Sequence, residues 1–315
     1  MLFYILYTVI GATLVLIGAD KLTDGAIGMA TRFGISEMVI GLTIVAFGTS
    51  LPEFIVSFLA CLSNNSSTTA LSVSNIVGSN LFNTLLIVGA SAAITPIVVA
   101  KDTIQKDIPL CILASIVLSA LALDTTISGG EDNVLTRGDG IVLLGFFAVF
   151  MAYTFSLTKH KGGNSVRQMS VIRIALFIVL GLGALIGGGE LFVKGACGIA
   201  RSAGVSEAVI GLTLVAGGTS LPELATSVVA AHKGQSALAI GNVVGSNIFN
   251  IFFILGVCAT AKPLAVTGLS FIDFVVLMLS ALLFLLFSRS SYKLSRCEGW
   301  SMILIYVLYI GSLIA

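Results

Sequence analysis

Charge is scarce in this 315-residue sequence: only 10% of the residues are Asp, Glu, Lys or Arg, against ~25% in soluble domains. Hydrophobic residues reach 57% and the mean hydropathy is +1.09. This composition excludes a water-soluble enzyme and a disordered chain. Sixteen Lys/Arg nearly cancel fifteen Asp/Glu, so there is no basic footprint for DNA or RNA. Histidine is almost missing. His160 and His232 both fall in expected loops, which argues against an intramembrane metal site built on imidazole. The five cysteines (Cys61, Cys111, Cys197, Cys258, Cys297) are odd in number, scattered and without C-x-x-C. They read as buried or boundary thiols without chemistry. No Lys or Arg precedes the first apolar run and no A-x-A site follows it, so it reads as a retained helix rather than a signal peptide.

What the sequence has instead is apolar runs. A membrane span needs ~20 apolar residues. Ten such stretches lie near 2–19, 38–61, 71–95, 108–123, 140–157, 171–189, 207–231, 236–258, 269–287 and 300–315. They are continuous rather than alternating, which favours helices over a barrel. Glycine, at 34 residues, suits helices that pack closely or break on purpose. The expected fold class is an all-α membrane protein. With the N-terminus outside, the loops assigned to the cytoplasm hold twelve Lys/Arg and the outer loops hold Arg137, Lys194, Arg201 and Lys262. That bias places both termini outside.

An internal repeat organises the chain. EMVIGLTIVAFGTSLPEFIVS (37–57) and EAVIGLTLVAGGTSLPELATS (207–227) are identical at 15 of 21 positions. NIVGSNLFNTLLIVG (75–89) matches NVVGSNIFNIFFILG (242–256) at 9 of 15. The expected organisation is a first five-helix repeat at 1–157, a short polar cytoplasmic linker at 158–170 and a second at 171–315. Five is odd, so the second half enters the membrane from the opposite side: ten transmembrane helices as two inverted five-helix repeats. Many secondary transporters are built this way, with the site near the midplane.

Most acids lie at span edges or in loops. Asp107 and Asp273 read as helix-start residues on paired helices, as do Glu37 and Glu207; Asp20 and Glu190 align at span ends. Glu53 and Glu223 differ, because each falls mid-span at an equivalent place in its half. An ionisable group there costs about 2.5–3.5 kcal/mol on insertion scales. No Lys or Arg lies mid-span to pair with them, so their countercharge is a proton or a bound cation. Each sits in G-T-S-L-P-E. Pro52 and Pro222 lack an N–H and clash with the carbonyl four residues back, at Gly48 and Gly218. Carbonyls near Ala46, Gly48 and Thr49, and near Ala216, Gly218 and Thr219, are expected to lose their partners. Bare carbonyls at membrane depth line a cavity or bind an ion. The second block, G-S-N-x-F-N, supplies Ser79, Asn80 and Asn83, and Ser246, Asn247 and Asn250, either as glue between helices or as ligands. All these donors are oxygens. Hard cations such as Ca²⁺, Mg²⁺ and Na⁺ take such ligands, about 6–8 of them for Ca²⁺, whereas Zn²⁺ or Cu⁺ is disfavoured.

On the paired G-T-S-L-P-E and G-S-N blocks, over nearly the whole chain, the sequence resembles short prokaryotic members of the sodium/calcium exchanger family, in the cation/Ca²⁺ antiporter superfamily. The resemblance implies a secondary antiporter of a prokaryotic plasma membrane that exchanges Ca²⁺ for Na⁺ by alternating access. It implies four central cation sites, with Glu53 and Glu223 as shared acidic ligands of Ca²⁺ and the carbonyls of Thr49 and Thr219 completing that site. Carbonyls of Ala46 and Ala216, with hydroxyls of Ser50, Ser220, Ser79 and Ser246, would build flanking Na⁺ sites. Asn83 and Asn250 match the remaining central positions, and the first and sixth spans would form the sliding gate. Well-understood archaeal exchangers carry Asp where Asn250 stands. The cluster here therefore holds two carboxylates, which balance one Ca²⁺ or two Na⁺. Exchange of H⁺ for Ca²⁺ or another divalent cation is the alternative. A channel suits the broken helices less well, and an intramembrane enzyme lacks a mid-span His or Asp pair. No cofactor and no nucleic acid are expected; the partners are the transported ions and the bilayer, and one chain carries both half-sites, as a monomer requires.

Overall fold

A computed structural model describes residues 1–63, 66–130, 133–157, 169–205, 210, 214 and 216–314. Among these, helices dominate: α1 (Leu2–Phe33), α2 (Glu37–Thr49), α3 (Leu51–Cys61), α4 (Thr69–Ile94), α5 (Thr103–Ala122), α6 (Arg137–Ser156), α7 (Val171–Ser202), α8 (Leu221–His232), α9 (Ser236–Ala261), α10 (Phe271–Ser291) and α11 (Arg296–Ile314). Seven of them are long and apolar enough to cross a membrane, and eight if the bent pair α2–α3 is one span. Most of the linker, 158–168, and Glu207 lie outside the described residues.

The apolar runs underestimate two helices. The stretches at 2–19 and 171–189 continue to Phe33 and Ser202. Lys21 and Arg32, and likewise Lys194 and Arg201, therefore stand on helices rather than in loops. A charge does not end a helix; a left-handed glycine does. Gly34, at φ 65°, caps α1 and its N–H bonds to the Ala30 carbonyl. Gly204, at φ 82°, follows α7 at the equivalent position. His232 likewise closes α8 instead of lying in a loop. Asp273 starts its helix as expected, in a capping box with Ser270. Asp107 does not: it sits inside a helix, in a π-turn over Thr103–Asp107. Both are interface residues all the same. Tyr153 donates to Asp107 at 2.9 Å and Tyr309 to Asp273 at 2.6 Å.

The long helices α1 and α7 pack against each other along small residues. A side chain on Gly18 would come within 2.8 Å of the Gly181 carbonyl, so the backbones touch, as small residues allow in membrane helices. The core is the crossing of α4 and α9, whose side chains are buried along most of their length. α2 crosses α9 at Gly41, where a Cβ would lie 2.8 Å from the Leu238 carbonyl. This close approach brings the first broken helix against the second half.

Two short antiparallel ribbons tie the ends. β1 (Ile97–Val98) pairs with β4 (Lys293–Leu294), and β2 (Val134–Leu135) pairs with β3 (Leu264–Ala265). Each ribbon takes one strand from each half.

Candidate cation site

The break between α2 and α3 is the work of Pro52. Thr49 ends one helix, Ser50 leaves helical geometry at φ −82° and ψ 6°, and Leu51 restarts the chain at a 49° bend. Ser220 repeats this geometry at φ −91° and ψ 8° before α8. Glu53 and Glu223 then fall in the first turn after each break, where the positive end of the helix dipole favours a carboxylate. Both are 0% exposed.

The two halves complete each other. Ser50 donates to Glu223 Oε1 at 2.9 Å, and Ser220 donates to Glu53 Oε1 at 2.8 Å. Ser79 adds a longer bond to Glu53 at 3.4 Å and lies 3.1 Å from the Ser220 hydroxyl. Each carboxylate thus accepts from a serine of the other half. Ion pairs among the described residues lie elsewhere, on Lys21, Lys106, Lys194 and Lys233, so neither glutamate meets a cationic side chain.

The asparagines form a second reciprocal set. Asn83 donates to Asn247 Oδ1 at 3.1 Å, and Asn250 donates to Asn80 Oδ1 at 2.9 Å and to the Ser79 hydroxyl at 3.1 Å. Asn247 in turn donates to Thr84 at 2.8 Å, and Asn80 to the Asn247 carbonyl at 3.1 Å. Asn83 and Asn250 stand on π-helical turns, Phe82–Ile87 and Phe249–Leu255. Such turns recur at functional sites because they re-aim side chains within a helix.

This wiring uses up donors and leaves acceptors. Glu53 Oε2, Glu223 Oε2, Asn83 Oδ1 and Asn250 Oδ1 are all buried without a hydrogen-bond partner. They form two symmetry-matched pairs. A buried acceptor without a partner costs about 1–3 kcal/mol, more when charged. Four such oxygens are of the ligand type that a hard cation takes. The amide nitrogens, tied to neighbours, fix which way each oxygen faces, the part that outer partners play in ion sites.

The remaining expected ligands divide. Thr49 and Ser50 are buried in the network, and Thr49 donates to Asn242 Oδ1 at 3.2 Å. The Ala46 carbonyl is not bare, contrary to expectation: it accepts from Ser50 N at 3.0 Å and from the Thr49 hydroxyl at 3.3 Å. The proline removes a bond only from the carbonyl four residues before it, at Gly48. Ala216 opens a short helical piece, Ala216–Gly218, and Thr219 is half-buried beside it. Ser246 is buried, but its hydroxyl has no partner where its counterpart Ser79 reaches Glu53. Sequence reasoning missed Asn242, Asn75, Ser57 and Ser227 as supports. Asn242 donates to Ser227 at 2.9 Å and Asn75 to Ser57 at 3.0 Å. They recur at the offsets of the two repeated blocks, which is the signal that could have found them.

The whole chain is similar to known proteins. The family model described as sodium/calcium exchanger protein matches residues 3–156 and 173–315. CaxA of Alkalimonas amylolytica is 37% identical, over 98% of both chains. The sodium/calcium exchanger MaX1 of Methanosarcina acetivorans is 30% identical, over 97% of both. Among solved structures, the sodium-calcium exchanger NCX_Mj, soaked with zero Na⁺ and Ca²⁺, superposes with a TM-score of 0.84 at 34% identity, over 99% of both chains. A transport fold, a buried oxygen cluster and these full-length matches make one statement: the chain belongs to the sodium/calcium exchanger family.

Proposed function

We propose that this protein is a secondary antiporter that exchanges Ca²⁺ for Na⁺ by alternating access, at a midplane site built from the two G-T-S-L-P-E motifs. The observation that carries this reading is the set of four buried, unpartnered oxygens on Glu53, Glu223, Asn83 and Asn250. The Thr49 and Thr219 carbonyls complete the Ca²⁺ shell, while Ser50, Ser220, Ser79, Ser246 and the Ala216 carbonyl serve Na⁺; the Ala46 carbonyl, held by two donors, takes no part. Competition is the mechanism. One Ca²⁺ or two Na⁺ neutralise the two glutamates, so the cations displace each other. A third Na⁺ would leave the site with net positive charge, which its two carboxylates do not favour. An unneutralised pair of carboxylates is costly in low dielectric, so the access change needs a loaded site. The gate is the α1–α7 pair, which packs on itself at the edge of the bundle. The protein works as a monomer and without a cofactor.

The architecture behind this reading is ten spans in two inverted halves, 1–157 and 171–315, joined by a cytoplasmic linker, with both termini outside the plasma membrane. The ribbons support the inversion. β1 and β3 are equivalent at the offset of the second repeated block, and each pairs with a strand late in the other half. The same joint thus occurs twice, once at each end of an odd-numbered repeat. The Lys/Arg bias supports the orientation.

The test is radioactive Ca²⁺ uptake into Na⁺-loaded proteoliposomes diluted into Na⁺-free buffer, at equal pH and clamped voltage. Uptake is expected, and is expected to vanish with equal Na⁺ on both sides. Uptake driven by a proton gradient and indifferent to Na⁺ would overturn Na⁺ coupling and make Asn250 the first suspect.

A further inference from the structure

Asn242, on α9, is hydrogen-bonded to both halves of the protein. Its Oδ1 accepts from the Thr49 hydroxyl at 3.2 Å, at the end of α2 in the first half. Its Nδ2 donates to the Ser227 hydroxyl at 2.9 Å and, over a longer 3.4 Å, to the Glu223 carbonyl, both on α8 in the second half. The residue is 0% exposed. The orientation of its amide is forced: turned over, it would set its oxygen against the Glu223 carbonyl, acceptor facing acceptor. The backbone makes this reach possible. A Cβ on Gly41 would lie 3.1 Å from Asn242 N, so α2 and α9 touch at this residue.

Its repeat counterpart is placed differently. Asn75 is half-buried and donates to Ser57 at 3.0 Å, inside its own half. Asn242 makes the same bond to Ser227, and such a bond is enough to hold two neighbouring helices together. The bonds to Thr49 and to the Glu223 main chain come in addition, and glue between α8 and α9 does not call for them. Thr49 shows what they do. Its hydroxyl has one proton and two acceptors: Asn242 Oδ1 at 3.2 Å across the halves, and the Ala46 carbonyl at 3.3 Å within its own helix. Without Asn242 the proton goes to Ala46 alone, and Thr49 is no longer tied to the turn that carries Glu223.

We propose that Asn242 is a positioning residue that sets the preference for Ca²⁺ over Na⁺, by holding Thr49 and Glu223 at the separation that one Ca²⁺ spans. The proposal rests on the antiporter reading above and its division of ligands. Ca²⁺ takes the Thr49 carbonyl and the Glu223 carboxylate into one shell, with each oxygen at about 2.3–2.6 Å. Two Na⁺ share the glutamates between them and do not need that separation. Among the described residues, the hydrogen-bond partners of Asn242 are Thr49, Glu223 and Ser227, and not the serines assigned to Na⁺. Loss of Asn242 therefore loosens the Ca²⁺ shell and leaves the Na⁺ hydroxyls in place.

The test is thermal unfolding of the purified full chain, titrated from an ion-free state with Ca²⁺ or with Na⁺, since each ion stabilises according to its affinity. Asn242→Ala should weaken Ca²⁺ binding about 10–100-fold, the usual cost of losing a residue that orients a metal ligand, and leave Na⁺ affinity unchanged. Thr49→Val keeps the carbonyl and the shape but removes the hydroxyl. It should weaken Ca²⁺ likewise, and the double variant should bind Ca²⁺ no more weakly than Asn242→Ala alone. Asn75→Ala should keep the wild-type ratio of the two affinities. An equal loss for both ions in Asn242→Ala would overturn the inference, as would additive losses in the double variant or a ratio changed as much by Asn75→Ala. Should Asn242→Ala not fold, an unchanged Ca²⁺ affinity in Thr49→Val overturns it instead. A wild type that neither ion stabilises would overturn the proposed function and the inference with it. A wild type that both ions stabilise, beside variants with its own affinity ratio, overturns the inference alone.

Discussion

Replacing Glu53 by Gln keeps the side chain's shape and removes its charge, and two effects of opposite sign are expected. Without cations, the wild type confines two carboxylates that are fully buried and paired with no cationic side chain. Gln removes one of these buried charges, so ion-free E53Q should unfold no earlier than wild type. With Ca²⁺, the variant has lost half the charge of the site. Removing one partner of a buried ion pair costs about 3–5 kcal/mol, which weakens Ca²⁺ binding by roughly two to three and a half powers of ten. At a Ca²⁺ concentration of about 100 Kd the wild type gains about 2.7 kcal/mol. E53Q at that concentration should gain no more than about 0.4 kcal/mol, since its Kd now equals or exceeds the Ca²⁺ present. A thiol-reactive dye reads the unfolding, because Cys61, Cys111, Cys197 and Cys258 are free and buried while Cys297 reacts at once as a baseline. Glu223→Gln should behave alike, given the reciprocal serine bonds. A lower melting temperature in ion-free E53Q, together with an intact Ca²⁺ shift, would refute the reasoning and make Glu53 a structural residue.

Two other outcomes are expected. A protonated carboxyl has no charge and one oxygen turned donor, so protons compete with Ca²⁺ for Glu53 and Glu223. Uptake at subsaturating Ca²⁺ should fall with pH and recover with added Ca²⁺, whereas a fall that Ca²⁺ does not rescue would contradict competition. Lys233, at the end of α8, pairs with Asp20 at 2.7 Å and Asp24 at 2.6 Å on α1. The counterpart of Asp24 is Lys194, which instead pairs with Glu190 inside α7. These partly exposed pairs total about 1 kcal/mol. Lys233→Ala should therefore change the ratio of apparent Na⁺ affinities on the two membrane faces about fivefold, measured in oriented vesicles; an equal change on both faces would count against a one-sided link.

Much of this was readable from residues alone, for physical reasons. Apolar runs mark helices because a bilayer offers no hydrogen bonds to a bare backbone. Repeated polar residues inside such runs mark a site because burying them is costly. This reasoning singled out Glu53, Glu223, Asn83 and Asn250, each of which has a buried oxygen without a partner, and it expected the bend at Pro52. It failed where local patterns are silent. Nothing in FNTLLI or FNIFFIL announces a π-turn, which depends on how α4 and α9 pack. The runs stop at Asp20 and Glu190, although charged side chains at a helix end reach polar surroundings without breaking the helix. The Ala46 carbonyl was expected to be free because proline removes one backbone bond, yet the Thr49 hydroxyl and the Ser50 amide both turn back to it. The pairing of Ser50 with Glu223 and of Ser220 with Glu53 is tertiary, and no spacing along one helix encodes it.

That crossed pairing also sets a timetable for synthesis. Ser79 follows Glu53 by 26 residues, but Ser220 follows it by 167. At about 5–20 residues per second, roughly 8–33 s pass before the ribosome makes the second donor. Glu223 never waits, because Ser50 precedes it by 173 residues. The first half must therefore hold a half-solvated acid in a growing bundle, while the second half inserts into a membrane where its partner already stands. A chain that stops short of residue 220 would leave Glu53 with the longer bond alone.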